Sequence, residues 1–589
     1  MSKSQEEQAF KYAIKNAALH DGKANMGAVV GKLKALFADD DIKELSLIAK
    51  TATDRVNKMK KEEIQKQFEV FEKEGYELKP KEKEKGLPSL EWAEKGEPVS
   101  MCVCEEGSMV ERVLFQKVPV VTRFAPNPNG PMHFGHCRAA ILSAEYAKKY
   151  NGKFLLRFED TDPKVKKPME NAQETFLRDL AWLGYSPDGV SWASDRFDPY
   201  YDYMKQVLAM GKAYVCTCDN EGFKKLKNKG IACPHRERDP VIQRSEFDKM
   251  LNHEYKEWQA VLRIKTDLNH PDLSVRDWWA AKIVDKVAYS RLKNRVVFPS
   301  FNFQNSVDDH EEGVTLILRG VQHTQNAVKQ KYLYGYLGWK FPHIIHFGLV
   351  KMKGILLSKT KINDLMKNDS SFLGFLDPRL GTVEAFREKG FVSQALVDEM
   401  LELGTRPSDA SISLARLEDR NKQFIDKKSK RFILIEEPVE VVVNNAEKIE
   451  ARLENYPGDP SAGVRKYGLG SGKQVFWIAK DEAENAILGR VLRLKHAYNV
   501  RVVKKDGKKI DCEFVSIEHK TGIPIVNWLI PSEVQSVEIR MLDASLKKGY
   551  SEKELARQKI GAHVRFEDFG FLVIAKNAQT GTKLNYSHP

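Results

Sequence analysis

The spacing of apolar positions changes along the chain and divides it into segments. Up to about residue 75, "AVVGKLKALF" and "IKELSLIAKTATDRVNKMKKEEIQKQFEVF" place apolar side chains three and four positions apart, which is the period of an amphipathic helix. The following "LKPKEKEKGLPS" combines alternating charge with two prolines, a composition typical of linkers. We therefore expect a helical N-terminal appendage over residues 1–85 and a linker over residues 86–115.

From about Lys117 onward, short apolar runs alternate with helical stretches. "KVPVVTRFAP", "GKFLLRFED", "GVTLILRGV" and "HIIHFGLV" have the pattern of strands, and "HCRAAILSAEYAKKY", "MENAQETFLRDLAWLG" and "TQNAVKQKYLYGYLG" that of helices. Strand–helix alternation with short connections predicts a parallel α/β sheet, here over residues 116–365. The cysteine-bearing stretch at about 211–295 is interpreted as an insertion within that sheet.

Beyond the sheet the pattern becomes helical and then changes to short strands. "TVEAFREKG", "SQALVDEMLEL" and "LARLEDRNKQFID" predict a helical connector over residues 366–428. Further on, "NVRVVKKDGKKIDCEFVSI" places Asp506 and Gly507 between two alternating arms, a strong hairpin signal. We expect one or two antiparallel β-barrels over residues 429–589, a common platform for oligonucleotides, in a multidomain α/β plus all-β protein.

Charge and cysteine content narrow the functional classes. The 589-residue chain has 95 Lys and Arg against 82 Asp and Glu, a formal charge of +13, which fits either a polyanionic partner or a lysine-rich surface. Seven cysteines are too few for a disulfide scaffold. No apolar run approaches the roughly 18 residues that a membrane span needs, and the N-terminus lacks the apolar region of a secretion signal. We expect a soluble, cytoplasmic protein without a membrane partner.

Two histidines stand three positions apart at the start of a predicted helix. In "NPNGPMHFGHCRAA", a Gly-Pro turn leads from a strand into the helix with His133 and His136. A helix start favours an anion through its free N–H groups and its dipole, and Gly135 would allow a bulky ligand to approach. The alternatives are a metal site, which lacks an acidic residue within the pair, and two ordinary polar residues. The motif alone leaves all three open.

A second motif favours phosphate binding. "GILLSKTKI" follows the last predicted strand of the sheet and contains Ser358, Lys359, Thr360 and Lys361. A flexible lysine there can neutralise charge on a phosphate chain, and a solvated loop is the alternative when the motif is taken by itself. Because "HFGH" and "LSKT" belong to one predicted sheet, together they indicate a nucleotide site.

These motifs resemble the signatures of a known enzyme family. "HFGH" is similar to the HIGH signature of class I aminoacyl-tRNA synthetases, and "LLSKT" to their KMSKS loop. "TRFAPNPNGPMHFGH", "LLRFEDTDP", "SVDDHEEGVTLILRG", "DPRLGT" and "RNKQFID" resemble the glutamyl-tRNA synthetases of the archaeal and eukaryotic type, from about residue 117 to the C-terminus. The resemblance implies a Rossmann-like catalytic domain with an insertion that binds the tRNA acceptor end, a helical connector that contacts tRNA, and anticodon-binding barrels.

The resemblance also implies a two-step reaction. Glutamate and ATP give glutamyl-adenylate and pyrophosphate, and the glutamyl group then passes to the terminal ribose of tRNA(Glu). The histidine pair would contact the phosphates of ATP, and the lysine of the second motif would stabilise the departing pyrophosphate with the help of Mg²⁺. The residues that this assigns to catalysis are His133, His136 and Lys359, with Gly135 and Ser358 also at ATP.

A pocket for the amino acid follows from the same resemblance. A cation should bind the side-chain carboxylate of glutamate and an anion its ammonium group, at strand ends of the sheet. Glu159 matches the family position that faces the amino group, and Phe301 stands where many relatives have Tyr. A structural ion pair is the alternative for each charged residue. The expected glutamate-binding residues are Arg123, Asn127, Glu159, Phe301, Asn305 and Arg319.

Two other functions stay open at this point. Glutaminyl-tRNA synthetases share the architecture, but they read more like "RFPPEPNG" and "DDTNP" where this chain has "RFAPNPNG" and "FEDTDP", which favours glutamate. A noncatalytic RNA-binding protein of synthetase-like fold is the third hypothesis, and the intact His133, His136 and Lys359 argue against it. A protein partner for the N-terminal helical region is a further prediction.

Four residues of the insertion have the chemistry of metal ligands. Cys216, Cys218, Cys233 and His235 would form a tetrahedral Cys₃His structural zinc site, although C-x-C is a less usual spacing and also occurs at residues 102–104. Reduced, buried thiols are the alternative. Because the family sometimes carries zinc in this insertion, the favoured prediction is a structural Zn²⁺ in addition to ATP and Mg²⁺.

Overall fold

The computed structural model divides the chain into two compact units, Met1–Gly86 and Leu87–Pro589. The residues that it describes are 3–19, 22–36, 42–73, 87–105, 108–162, 164, 166–355, 362, 365, 367–456, 458–578 and 581–589.

The first unit is helical, as its apolar spacing predicts. Its described helices are Lys3–Leu19, Met26–Leu36, Ile42–Val56 and Lys61–Lys73. Ala9, Ala13 and Ala17 follow one another at four-residue spacing on the first helix and are fully buried, together with Leu33 and Leu45. Small side chains on this face let the neighbouring helices approach closely, so alanine supplies much of the core.

The segment 86–115, predicted as a linker, contains regular structure. A short helix, Glu91–Lys95, precedes the strands Glu97–Glu105 and Ser108–Gln116, which pair antiparallel as a hairpin. The strands come from "EPVSMCVCE" and "SMVERVLFQ", whose β-branched and apolar residues favour extended backbone. The linker prediction is based on the charged, proline-containing stretch that precedes these strands, and it is wrong for the strands themselves.

Five parallel strands form the central sheet of the second unit, as predicted. In spatial order they are His343–Phe347, Leu316–Gly320, Val121–Phe124, Lys153–Phe158 and Gly189–Trp192. The last of these has four residues of which none is buried, so its sequence carries no strand pattern and it was not predicted. The predicted helices between strands are Phe134–Lys149, Ala172–Trp182 and Thr324–Leu337.

The strand order reverses at Val121–Phe124. The chain proceeds from this strand to Lys153–Phe158 on one side, and Leu316–Gly320 later joins on the other side. Open parallel sheets bind ligands in the crevice outside the carboxyl ends of the strands at such a switch point. Side chains at the ends of these three strands therefore meet at one place.

The insertion has a sheet of its own. Four antiparallel strands, Ala213–Cys216, Val261–Ile264, Trp279–Ile283 and Val297–Pro299, follow one another in chain order. Its helices are Asn220–Asn228 and Pro240–Leu251, and helix Phe197–Ala209 precedes it. Helix Phe301–Glu311 then returns the chain to the parallel sheet.

A helical connector follows the parallel sheet. Its helices are Val383–Glu388, Ser393–Leu403 and Leu414–Ile425, and the short strands Val350–Lys353 and Ala410–Ser413 pair parallel. The connector also contacts the C-terminal region: the Asn585 side chain donates to the Glu388 carbonyl (3.0 Å), and Nε2 of His563 bonds the Gly390 carbonyl (2.7 Å).

Two six-stranded sheets and a hairpin make up the C-terminal region. The first sheet orders Gly472–Ile478, Val439–Ala446, Lys509–Ser516, Asn499–Lys505, Val491–Leu494 and Ile525–Val526; the second orders Lys430–Phe432, His563–Phe566, Gly570–Ala578, Gly581–His588, Val534–Arg540 and Leu546–Glu552. Strands Ile449–Glu454 and Val464–Leu469 form the hairpin, and Lys480–Asn485 is a short helix. The predicted hairpin turn at Asp506 and Gly507 is confirmed, with Gly507 at φ +77°.

The prediction of purely antiparallel strands is corrected for four pairs. Those that run parallel are Lys430–Phe432 with His563–Phe566, Val439–Ala446 with Lys509–Ser516, Val491–Leu494 with Ile525–Val526, and Val534–Arg540 with Gly581–His588. Local alternation predicts a strand but not the direction of a partner that arrives after a long connection.

Candidate functional site

The "HFGH" turn lies at the carboxyl end of the switch-point strand. His133 caps helix Phe134–Lys149, and its Nδ1 accepts the Gly135 N–H at 3.1 Å. The His133 and His136 rings stack with centroids 3.8 Å apart. A Cβ at Gly135 would lie 3.0 Å from Cε1 of His133, so the glycine makes room for this ring, whereas the sequence suggested room for a ligand.

Both imidazoles are neutral near pH 7. Burial lowers the pKa of His133 to about 4, and burial together with the neighbouring His133 lowers the pKa of His136 well below its usual value. Because Nδ1 of His133 accepts a hydrogen bond, its single proton is on Nε2, which can donate. Nδ1 of His136 is buried and has no hydrogen-bond partner among the described residues.

The connector is hydrogen-bonded directly to this turn. The N–H of Phe134 donates to the Gly381 carbonyl at 2.9 Å, and the N–H of Val383 donates to the Met132 carbonyl at 2.9 Å. His133 and Thr382 form the bridge between them. The "DPRLGT" stretch thus fixes the position of the histidine turn.

The buried side chain of Lys389 hydrogen-bonds the same stretch. Nζ of Lys389 donates to the carbonyls of Pro378 (3.2 Å) and Leu380 (3.3 Å) and lies 4.4 Å from the Phe386 ring centroid. Burial lowers its pKa to about 7. Sequence reasoning missed this lysine, which lies at the end of a helix where a solvent-exposed cation is the ordinary expectation.

Two arginines, three carboxylates and an asparagine form a largely buried network beside the turn. Arg123 donates from Nε to Asp309 (2.9 Å) and from Nη2 to the Asn305 side-chain oxygen (3.2 Å). Arg157, fully buried, donates to the same Asn305 oxygen (3.2 Å) and to Asp309 (2.7 Å), Glu159 (3.1 Å) and Glu312 (2.7 Å). The network positions the predicted Arg123 and Asn305. Arg157 was missed, and the only signal was an arginine within the apolar "LLRF".

Arg319 differs from these two arginines. It lies at the end of strand Leu316–Gly320 and is 6% exposed. None of its three guanidinium nitrogens has a hydrogen-bond partner within the part of the chain that the structure describes. Burial, followed by the charge of Arg123, lowers its pKa to about 10. A buried cation without a counter-ion is costly, so the site is prepared for an anion from outside the chain.

Glu159 faces into the network. Its carboxylate accepts from Arg157, from Gln304 and, at 2.8 Å, from the Asn305 amide. Burial raises its pKa to about 7, which Arg157 opposes. The carboxylate is therefore poised between its two protonation states near neutral pH, and a bound cation would favour the charged form.

The other predicted residues lie around this network. The Asn127 amide donates to the Glu159 backbone carbonyl at 2.6 Å. Phe301 begins the helix after the insertion, is 37% exposed, and packs its ring 5.6 Å from that of His323. Ser358 and Lys359, predicted for the phosphate loop, lie outside the described residues.

The four predicted metal ligands come together in the insertion. The candidate ligand atoms of Cys216, Cys218, Cys233 and His235 all lie within 4.8 Å of one another. Sγ of Cys233 is 3.5 Å from that of Cys216, 3.4 Å from that of Cys218 and 3.1 Å from Nδ1 of His235. Tetrahedral zinc with bonds of about 2.0–2.3 Å separates its ligand atoms by roughly 3.3–3.8 Å. The two sulfur–sulfur distances lie in this range and the sulfur–nitrogen distance is shorter, so the four side chains form a compact candidate metal site.

Comparison with known families assigns the chain. Residues 119–428 match the catalytic domain of the tRNA synthetases class I (E and Q), and residues 429–518 match their anticodon-binding domain. The chain belongs to this family. The parallel sheet, the insertion and the connector of this class I E/Q synthetase all lie within the residues that match the catalytic domain. The resemblance expected from the sequence motifs is confirmed.

Relatives of this synthetase extend over its whole length. It is 39% identical over 596 residues to the glutamate–tRNA ligase of Pyrococcus furiosus, covering 99% of both chains. It is 40% identical over 590 residues to that of Pyrococcus abyssi, covering 98% of this chain and 99% of the relative. A solved glutamate tRNA ligase from Elizabethkingia meningosepticum gives a TM-score of 0.39 at 21% identity, over 52% of this chain and 70% of the other, which is too low to support a conclusion.

The described helices of the synthetase include none with both the length and the apolar character that crossing a membrane requires.

Proposed function

We propose that this synthetase ligates L-glutamate to tRNA(Glu) at the expense of ATP, through glutamyl-adenylate. The α-carboxylate of glutamate attacks the α-phosphorus of ATP, and pyrophosphate leaves. The terminal ribose hydroxyl of tRNA then attacks the activated carbonyl carbon, AMP leaves, and the hydroxyl proton is released. In such displacements the protein mainly orients the reactants and stabilises charge.

The choice of glutamate as substrate rests on the guanidinium of Arg319, which has no hydrogen-bond partner among the described residues. A carboxylate supplies the missing negative charge and can accept two parallel N–H donors. The neutral amide of glutamine would leave the buried cation uncompensated. We assign Arg319 to the side-chain carboxylate of the substrate and Arg123 to the same pocket, held by Asp309.

The ammonium group of glutamate is assigned to Glu159, near Asn127 and Asn305. A cation at this position stabilises the ionised carboxylate and lowers its pKa from about 7. Phe301 lines the pocket through its ring and offers no hydroxyl, so the substrate is held mainly through its charged ends.

ATP is assigned to the histidine turn. His133 donates from Nε2 to a phosphate oxygen, and His136 adds a second neutral imidazole, so the turn binds phosphate through dipoles and hydrogen bonds. Lys359 and Ser358 supply the positive charge and a hydroxyl when pyrophosphate departs. Mg²⁺ bound with ATP would supply further positive charge at the phosphates.

Zinc is proposed for Cys216, Cys218, Cys233 and His235, as a structural ion that holds the start of the insertion together. Metal analysis of the purified protein should give about one zinc per chain, and Cys233→Ser should lower this to none. Cys512 is also buried but lies in the C-terminal region, so Cys512→Ser is the matched control. A zinc-free wild-type protein, purified without chelators, would refute the site.

Aminoacylation of total tRNA with labelled glutamate and, separately, glutamine tests the enzyme function. Charging with glutamate supports the proposal, and charging with glutamine alone reassigns the protein to the rival specificity. Charging with neither would leave a noncatalytic RNA-binding protein. Four further points stay predictions from the sequence. They are binding of the acceptor end by the insertion, binding of the anticodon by the C-terminal sheets, a cytoplasmic location, and a protein partner for the N-terminal unit.

A further inference from the structure

Trp258 is an exposed aromatic residue in a tight turn of the insertion. It is 79% exposed and lies immediately before strand Val261–Ile264. The N–H of Gln259 donates to the Lys256 carbonyl at 3.0 Å, which closes a β-turn with Trp258 at its third position. Exposing so much apolar surface is unfavourable for a large ring in the free protein.

The backbone of this turn makes the tryptophan more unusual. Trp258 has φ +76°, and a β-turn with this value at its third position is of type II, where Gly or Asn is favoured. A bulky side chain there is strained, and such strain is concentrated at sites of function. The exposed ring is thus retained at a position that suits glycine better.

The turn is held against the loop that follows Glu159. Glu257, next to Trp258, forms an ion pair with Lys164, which lies five residues beyond Glu159 on the same loop. Glu257 is fixed a second time by Asp285, through reciprocal hydrogen bonds at 3.2 and 3.3 Å. The turn that carries the tryptophan is therefore tied to the loop that leaves the carboxyl end of strand Lys153–Phe158.

Exposed lysines occur in both segments that the Glu257–Lys164 ion pair joins, together with the carboxylates of Glu254, Glu257 and Asp285. Lys166 and Lys167 are exposed on the loop after Glu159, and Lys256 and Lys286 are exposed on the insertion side. Lysines of this kind attract phosphates, whereas an exposed ring binds a nucleobase by stacking. The combination suits a single-stranded nucleic acid that enters the crevice.

We propose that Trp258 stacks on an unpaired base of the tRNA 3′ end and so guides the terminal ribose to the glutamyl-adenylate. The inference rests on the proposed function, because that reaction requires the 3′ end of tRNA at this edge of the sheet. Trp258 is a positioning residue: it binds a base near the terminus and takes no part in bond making.

The test compares Trp258→Gly and Trp258→Phe with the wild type. Glycine fits φ +76°, so the Gly variant keeps the turn and should be no less stable in thermal unfolding. It should raise KM for tRNA about tenfold, as expected for one lost stacking contact, whereas Phe should stay within about threefold because it keeps a ring.

Binding to shortened RNA identifies the contacted part. The dissociation constants of wild type and Trp258→Gly are measured with full-length tRNA(Glu) and with the same tRNA lacking its unpaired 3′ nucleotides. The variant should lose about tenfold in affinity for the full-length RNA and nothing for the shortened RNA. Equal affinities for full-length RNA, or an equal loss on both RNAs, would overturn the inference. Binding needs no catalysis, so a wild type that charges no tRNA would refute the proposed function without deciding this result.

Discussion

Replacing Arg319 by Met should abolish most activity and yet leave the free protein at least as stable. Methionine keeps much of the side-chain volume and removes the charge. In the free protein the guanidinium has no partner among the described residues, and an unsatisfied buried polar group costs about 1–3 kcal/mol. Its removal should therefore raise the free energy of unfolding or leave it unchanged.

When glutamate is bound, the loss of the Arg319 guanidinium should instead be unfavourable. Two charge-assisted hydrogen bonds to the glutamate carboxylate are worth about 1.5–3 kcal/mol each, so their loss should lower kcat/KM for glutamate by a factor of about 10² to 10⁴. The assay is steady-state aminoacylation at varied glutamate concentration, together with thermal unfolding with and without glutamate. Glutamate should raise the Tm of the wild type but not that of the variant.

Arg157→Met is the matched control. It also removes a buried guanidinium, but this one is bonded to Asp309, Glu159 and Glu312, so those carboxylates would lose their shared counter-ion. The control should be strongly destabilised, by about 3–5 kcal/mol. The reasoning about Arg319 is refuted if Arg319→Met lowers Tm as much as the control, or keeps kcat/KM for glutamate within twofold.

Three further predictions concern the histidine turn, the connector and the C-terminal sheets. Gly135→Ala should raise KM for ATP, because the new Cβ would lie 3.0 Å from the His133 ring; an unchanged KM would show that the ring can move without loss. Lys389 has a folded-state pKa of about 7 against 10.5 unfolded, so the unfolded state binds its proton more tightly and stability increases with pH between these values, by up to about 1.4 kcal/mol per pH unit. Lys389→Met should remove this increase in urea unfolding at pH 6.5, 8 and 9.5, and parallel curves for the two proteins would contradict it. Arg465→Met should cost about 3–5 kcal/mol, since Nη1 of Arg465 donates to buried Glu552 at 2.7 Å; adding Glu552→Gln should recover part of the loss, and a smaller loss in the single variant would count against the pair.

Much of the central fold could be predicted because its signals are local. The segments "KVPVVTRFAP" and "GVTLILRGV" contain short apolar, β-branched runs, and the turn at Asp506 and Gly507 is specified by two adjacent residues. Strand Gly189–Trp192 and the parallel pairs of the C-terminal sheets depend instead on partners far along the chain. Nothing in their own residues encodes those partners.

The candidate site divides in the same way. Arg123, Glu159 and Arg319 could be proposed because the motifs that contain them resemble those of a known family. Arg157 could not, because its partners Asp309 and Glu312 are separated from it by about 150 residues, and a buried arginine is intelligible only when they are known. That Arg319 has no hydrogen-bond partner among the described residues is likewise visible only in the three-dimensional structure.

Helix Val383–Glu388 is held by hydrogen bonds at both ends. At its start Val383 is bonded to Met132 beside the histidines, and at its end Glu388 is bonded to Asn585 of the last strand. This short helix therefore links the C-terminal sheet to the proposed phosphate-binding turn. Suppose that RNA bound to that sheet shifts this helix and so alters the affinity for ATP. ATP must then alter the affinity for RNA by the same factor, because the coupling between two binding sites is reciprocal.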